Sequence, residues 1–180
     1  ILKMKLFMKT IAIFTLSIML LSACKKNGNR SIKVDFTSSV NQASPNLVCT
    51  LPGTPFAIAN SGYFLHGTAS YLGKVDFKNS FGKDDFCNLS DAFSLTTKTS
   101  GQIAGVNGEK ITYTGDDIID LKNVILNGST TAPIKGVWTI TGGTGRFTGA
   151  SGSITISGLV NVAAEGGPTF SITGEGTIIY

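Results

Sequence analysis

The chain has 180 residues, 42% of them hydrophobic and 14% charged, with a formal net charge of +4. From Val34 onward, however, eight Lys and Arg residues stand against eleven Asp and Glu residues, which gives that part a net charge of −3. This balance excludes a nucleic-acid-binding protein, because binding to phosphates needs a concentrated basic face.

The N-terminal segment has the order of parts that is typical of an export signal. Three lysines come first, an apolar run over residues 11–21 follows, and small residues precede Cys24. A membrane-spanning helix needs about 20 apolar residues, so this shorter run favours a cleaved signal over a permanent anchor helix. An ordinary secreted protein that is cut near Ala23 and keeps an unmodified Cys24 is the alternative.

The string Leu21-Ser22-Ala23-Cys24 resembles the lipobox of bacterial lipoproteins. That resemblance implies cleavage before Cys24 and attachment of lipid to its sulfur. It therefore implies an exported bacterial lipoprotein, anchored by its lipid in the outer membrane or on the cell surface. Residues 1–23 are then a signal peptide, residues 24–33 a lipidated and flexible tether, and residues 34–180 one folded domain.

Two further cysteines, Cys49 and Cys87, follow in the folded part of the chain. An exported protein can meet an oxidising compartment, so these two are expected to pair. The disulfide would close a loop of about 39 residues and stabilise the fold by roughly 3–4 kcal/mol in the chain-entropy treatment. Two free, buried thiols are the alternative.

Beyond the tether, short alternations of apolar and polar residues predict strands, with turn residues between them. Residues 41–55 are expected to be a long loop or a sheet edge, and residues 82–85 a polar loop. Asn107-Gly108 between two alternating runs predicts a tight hairpin. The expected strands cover residues 32–36, 56–69, 71–77, 92–97, 102–106, 110–114, 118–126, 136–141, 153–160 and 170–179.

The fold class expected from this pattern is all-β. Glycines within the later strands would supply the bends at which a sheet closes on itself, and closure removes exposed sheet edges. We therefore expect a single antiparallel barrel of about eight strands. The sequence shows no regular internal repeat, so a solenoid or a propeller is not expected.

A glycine-rich segment runs from Gly142 through Gly143, Gly145 and Gly149 to Gly152. It does not match a dinucleotide-binding loop, because the glycine spacing is wrong and a strand follows where a helix should begin. The segment instead resembles the signature turn of the dirigent and allene oxide cyclase barrel superfamily. Together with a weaker match at residues 67–73, the resemblance covers about residues 55–180 and implies an eight-stranded barrel. No cofactor is expected.

The candidate site residues are few. His66 shares one strand face with Phe64 and Thr68, and it could contact a ligand if that face points inward. Arg146, within the glycine segment, could contact a ligand or form a salt bridge. Asp116, Asp117 and Asp120 follow Gly115 and are expected to lie in a solvated turn. A single histidine and the lack of a CxxC spacing argue against a metal site.

The function expected from the sequence is a membrane-anchored module that binds a small apolar ligand or an envelope partner inside or on the barrel. An isomerase of the allene oxide cyclase type, acting within the barrel, is the first alternative. A structural envelope protein with a filled core is the second. A binding module is favoured over an enzyme, since no catalytic set of residues is evident.

Overall fold

The computed structural model describes residues 28–44, 47–50, 57–60, 62–89 and 93–180. Cys24 lies outside these residues, as does the whole segment assigned to the signal peptide. The described chain contains eleven strands, one short α-helix, α1 (Lys122–Asn127), and one 3-10 turn (Gly145–Phe147). The strands are β1 (Asn29–Val40), β2 (Leu47–Thr50), β3 (Ala57–Asn60), β4 (Tyr63–Ala69), β5 (Gly73–Lys74), β6 (Phe81–Leu89), β7 (Ser94–Ala104), β8 (Lys110–Asp120), β9 (Thr131–Gly143), β10 (Ser151–Asn161) and β11 (Thr169–Ile179).

Eight of these strands form a closed antiparallel ring. They pair in the order β1, β11, β10, β9, β8, β7, β6 and β4, and a second edge of β1 pairs with β4 to complete the circle. The short β5 adds to β4, while β2 and β3 pair only with each other. The expected all-β antiparallel fold of about eight strands is confirmed.

Side chains mostly alternate between the inside and the outside of the ring. Along β8, for example, Ile111, Tyr113, Gly115, Asp117 and Ile119 are buried, and the residues between them are half-buried or exposed. This is the period of two that a pleated strand imposes. The core is therefore the ring interior, which is filled mainly by Ile, Leu, Val and aromatic side chains.

The glycine-rich segment forms the connection between β9 and β10. Gly145 and Gly149 adopt positive φ angles of 63° and 74°, which only glycine takes without steric cost. The turn between them carries Phe147 into the ring, where it is fully buried and packs on Tyr180 with ring centroids 4.8 Å apart. Phe147 thereby closes this end of the ring.

Several predicted boundaries differ from the structure. β1 begins at Asn29, so residues 29–33 belong to the sheet and not to the tether. The strand expected over residues 71–77 is reduced to the two residues of β5, within a turn-rich connection. The strand expected over residues 56–69 is instead two strands, β3 and β4.

The strand expected over residues 118–126 was wrong beyond Asp120, because helix α1 follows. The Asp120 carboxylate accepts a hydrogen bond of 2.9 Å from the Lys122 backbone N–H, and Gly128 ends the helix in a left-handed conformation. The apolar run Val124-Ile125-Leu126 had the composition of a strand but lies on this helix. Among the residues that the structure describes, no helix has the length and hydropathy needed to cross a bilayer.

We expect Phe147→Ala to lower the free energy of unfolding by about 3–5 kcal/mol, because it leaves a large cavity at the closed end of the ring. Val106→Ala is the matched control. Val106 is 75% exposed on the neighbouring hairpin, so its truncation should change stability by less than about 0.5 kcal/mol. Chemical denaturation of both variants checks this, and equal small effects would show that Phe147 does not hold this end together.

Candidate functional site

A small cavity of about 40 Å³ lies in the half of the ring interior that is remote from Phe147. Its walls are mostly apolar side chains of β7 to β11. Six lining residues carry polar groups, namely Tyr63, Asp84, Thr97, Thr99, Asp117 and Trp138. Two carboxyl groups in such surroundings are unusual, because burying a carboxylate without compensation is strongly unfavourable.

Asp117 is held on the inside of the ring by its position on β8, and it is only 4% exposed. The Trp138 indole Nε1–H donates to its Oδ1 over 3.2 Å, and Thr99 Oγ1 lies 3.5 Å from Oδ2. The opposite residue on β9 is Gly136, where a Cβ would come within 2.0 Å of Asp117 Oδ1. The absence of a side chain at residue 136 is what makes room for the carboxyl group.

Asp84 reaches the same cavity from β6. A bulge between Asp84 and Phe86 shifts the register of β6 against β7, so that Asp84 is directed inward and both Asp85 and Phe86 outward. Burial, first, and the negative charges of Asp117 and Asp85 together raise the pKa of Asp84 to about 7. This carboxyl group can therefore keep its proton at neutral pH.

Burial likewise raises the pKa of Asp117 to about 7, although the hydrogen bonds from Trp138 and Thr99 act in the opposite direction. The two carboxyl groups interact, so they titrate as a pair. Donors that point at Asp117 stabilise its charged form. Near neutral pH the arrangement thus favours a proton on Asp84 and a negative charge on Asp117.

Two aromatic residues that line the cavity, Tyr63 and Trp138, both contact the buried Tyr113. The Tyr113 and Trp138 rings stack with centroids 4.3 Å apart, and the hydroxyls of Tyr63 and Tyr113 lie 3.3 Å from each other. Burial is the first cause that raises the pKa of both tyrosines above the usual value. Both hydroxyls therefore stay protonated and able to donate hydrogen bonds at physiological pH.

Sequence reasoning missed this site. Residues 82–85 were predicted to be a polar loop and are part of β6, while Asp116, Asp117 and Asp120 were predicted to lie in a solvated turn and belong to β8. The period-two pattern of Ile111, Tyr113 and Ile119 contained the signal for Asp117, since it places residue 117 on the apolar face. No such signal existed for Asp84, because the bulge next to it interrupts the alternation.

His66 does not reach the cavity. On β4 the buried residues are Tyr63 and Leu65, so His66 lies on the outer face of the ring with Phe64 and Thr68. Ser39 Oγ lies 2.8 Å from its Nε2, and its ring stacks on Phe77 at 5.0 Å. Through these contacts, His66 packs on the outside of the sheet.

Arg146 lies at the closed end of the ring, away from the cavity. Its Nε is 3.0 Å from Glu109 Oε2, and its Nη2 donates to the Tyr71 carbonyl oxygen. Of the two predicted roles, the salt bridge is the one seen, and it ties the β7–β8 hairpin to the glycine-rich turn.

Cys87 takes part in a disulfide. The side chain of Cys49 lies outside the described residues, so its pairing with Cys87 stays a prediction. Among the described residues, no three His, Cys, Asp or Glu side chains come close enough to hold a metal ion.

Comparison with protein-family models gives no match, and neither does comparison with curated proteins. Among solved structures, the chain is similar to the pterocarpan synthase dirigent protein GePTS1. The two are 15% identical, the superposition has a TM-score of 0.43, and it covers 84% of this chain and 86% of that chain. A likeness this distant carries no inference about a ligand, so the cavity has to be interpreted from its own chemistry.

The buried pair has a defined effect on stability. Both carboxyl groups bind protons more tightly when folded, with pKa values of about 7 against about 3.9 in an unfolded chain. The folded state therefore holds more protons between these values, and the free energy of unfolding should fall as the pH rises from about 4 to about 7. Each pKa unit corresponds to about 1.4 kcal/mol.

Asp84→Asn should flatten this decline and make the chain more stable than the wild type at pH 8, because the amide mimics the protonated acid. Asp116→Asn is the control, since Asp116 is exposed on the outer face beside Lys98. Urea denaturation between pH 4 and pH 8 measures the effect. An unchanged slope in Asp84→Asn would mean that this carboxyl group is not buried as described.

Gly136→Ala should displace the Asp117 carboxyl group and lower the free energy of unfolding by about 1–3 kcal/mol. Trp138 is the single tryptophan of the chain, so its fluorescence should change as well when the hydrogen bond to Asp117 is lost. Thr139→Ala, on the outer face of the same strand, should change neither quantity. Unaltered fluorescence in Gly136→Ala would contradict the packing of this site.

Proposed function

We propose that the ring is a β-barrel that binds a small, mainly apolar molecule in the cavity beside Asp84 and Asp117. We further propose that the chain is an exported lipoprotein, held at a membrane through Cys24. The observation that carries the binding function is the pair of carboxyl groups inside an otherwise apolar interior.

The pair is not needed to build the ring. Apolar residues at both positions would fill the interior without the desolvation of two acids, and Gly136 would then have no carboxyl group to accommodate. A sequence that keeps an unfavourable local choice generally does so at a functional site. Strongly shifted pKa values of groups that line a cavity are also typical of functional sites.

The cavity is small in the described conformation. A volume of about 40 Å³ has room for a few water molecules, whereas sites for drug-sized ligands usually have about 300–1,000 Å³. Three half-buried residues line it where β10 and β11 connect, namely Val162, Pro168 and Phe170. Binding then proceeds by outward displacement of these side chains, since Val162 and Pro168 lie in the connection and Phe170 lies at the start of β11.

The lining also limits the chemistry of the ligand. None of the described residues around the cavity is Lys, Arg or His, so no cation is present there to balance an anionic ligand. A protonated Asp84 can donate to a hydroxyl or carbonyl oxygen, and the apolar walls accept a hydrocarbon body. The ligand class that fits is a neutral, oxygen-bearing apolar molecule.

The same pair also favours a second candidate function, acid–base isomerisation within the barrel. One carboxyl group that is protonated and one that is charged, both with pKa values of about 7, can act as general acid and general base at neutral pH. Asp84 would donate a proton to a ligand oxygen, and Asp117 would accept a proton from the ligand, so that the pair keeps its one proton.

The lipoprotein part of the proposal is supported by Leu21-Ser22-Ala23-Cys24 and the apolar run before it. A purely structural envelope protein is the remaining alternative, and the small cavity volume is the observation in its favour.

The test is native mass spectrometry of the full chain, purified from the envelope of its host. We expect a molecule of defined mass to co-purify with the wild type. Asp117→Asn should lose at least about nine-tenths of it, because the variant removes the charge that orients the site. Asp116→Asn, the neighbouring residue on the outer face, is the matched control and should retain the ligand.

Two further outcomes separate the alternatives. If the bound molecule is slowly converted to an isomer by the wild type but not by Asp84→Asn, the isomerase function holds. If the chain stays empty even after incubation with envelope lipid extract, both ligand functions are wrong and the structural alternative stands.

A further inference from the structure

The two ends of the ring differ in charge. The end that Phe147 closes consists of described residues 28–31, 70–74, 106–110, 144–150 and 178–180, and we call it the basic end. Its charged residues are four cations and one carboxylate, and Glu109, the carboxylate, is paired with Arg146. At the opposite end, described residues 40–44, 62–63, 120–130 and 161–168 carry one cation, Lys122, against Asp120 and Glu165.

The basic end also displays aromatic side chains in a fixed arrangement. The Arg30 guanidinium lies 4.8 Å from the centroid of the Tyr180 ring and donates to the Tyr180 hydroxyl. The edge of Tyr71 meets Tyr180 at 5.9 Å, and the Tyr71 hydroxyl donates to the Ser31 carbonyl oxygen over 2.9 Å. Tyr and Arg side chains are the groups that favour the headgroup region of a bilayer.

Tyr71 adopts a backbone conformation that residues other than glycine rarely take. It is the one non-glycine residue of the described chain with a positive φ, at 70°. A conformation of this kind persists only where the surroundings impose it, and such residues concentrate at functional surfaces. The Arg146 side chain donates to the Tyr71 carbonyl oxygen and so secures the turn.

The connection to the N-terminal segment leaves from this same end. β1 begins at Asn29, and Cys24 precedes it by five residues, which can span at most about 18 Å. Lys25 and Lys26 lie within that stretch of sequence. A membrane attachment at Cys24 therefore keeps the basic end close to the bilayer, while the cavity lies in the other half of the ring.

We propose that the basic end is a docking surface for an anionic phospholipid bilayer, which orients the ring with its ligand cavity facing away from the membrane. The proposal rests on the N-terminal attachment proposed above but not on ligand binding. Each cation near an anionic surface adds about 1 kcal/mol of attraction, which salt screens. Lys74, Lys110 and Arg30 supply this charge, and the exposed Val106 at the hairpin tip can enter the headgroup region.

Hydrogen exchange tests the orientation on the full lipidated chain in vesicles. One vesicle preparation contains phosphatidylglycerol and phosphatidylcholine, and the other contains phosphatidylcholine alone. On the anionic vesicles we expect amides of residues 105–109 and 144–149 to exchange several-fold more slowly than on the neutral ones. Amides of residues 122–130 and 162–167 should exchange equally on both, and 0.5 M salt should abolish the difference.

Two variants with the same net charge make the test specific. Lys74→Gln with Lys110→Gln removes two charges from the basic end and should abolish most of the protection. Lys122→Gln with Lys135→Gln removes two charges elsewhere and should preserve it. The proposal is overturned if protection appears at residues 122–130, if it is equal on neutral vesicles, or if the chain does not associate with vesicles at all.

Discussion

The pairing of β1 with β4 is the interaction on which the rest of the structure depends. It closes the sheet, so the eight strands share one interior and one outer surface. The contact between β4 and β6 is the short one in the ring, with two residue pairs. Closure also decides which side chains are buried, since alternate side chains of each strand must point into the confined interior. A polar residue at an inward position has no route to solvent except through an end of the ring.

The interior is divided by residue size. Near the closed end, Phe147 packs with apolar side chains that include Ile32, Ile154 and Ile178. Towards the other end, glycines at inward positions leave room for larger partners, as Gly115 does for Trp138 and Gly136 does for Asp117. The polar cavity exists because small residues on one strand are matched to large or charged residues on the next.

The charges of the chain also differ between the two ends of the ring. The overall value of +4 hides a negative charge of the part from Val34 onward. Among the described residues, cations outnumber carboxylates at the basic end, whereas at the opposite end two carboxylates stand against one cation. The start of β1, the Phe147 side chain and the basic end lie at one end of the ring, and the cavity with its two acids lies towards the other. The proposed attachment through Cys24 and the proposed ligand binding would therefore act at opposite ends of the ring.

The sequence by itself determined the all-β class, the approximate strand count and the hairpin at Asn107-Gly108, because these follow from local alternation and turn chemistry. It did not determine the site. The alternation of Ile111, Tyr113 and Ile119 indicates that Asp117, and not Asp116, faces inward. Only the pairing of β8 with its neighbours places Asp117 beside the groups that it contacts. The inward position of Asp84 depends on the β-bulge next to it, and the sequence around Asp84 does not indicate that bulge. Inside and outside exchange with every one-residue shift, so the residues that meet within the ring were decided by tertiary pairing alone.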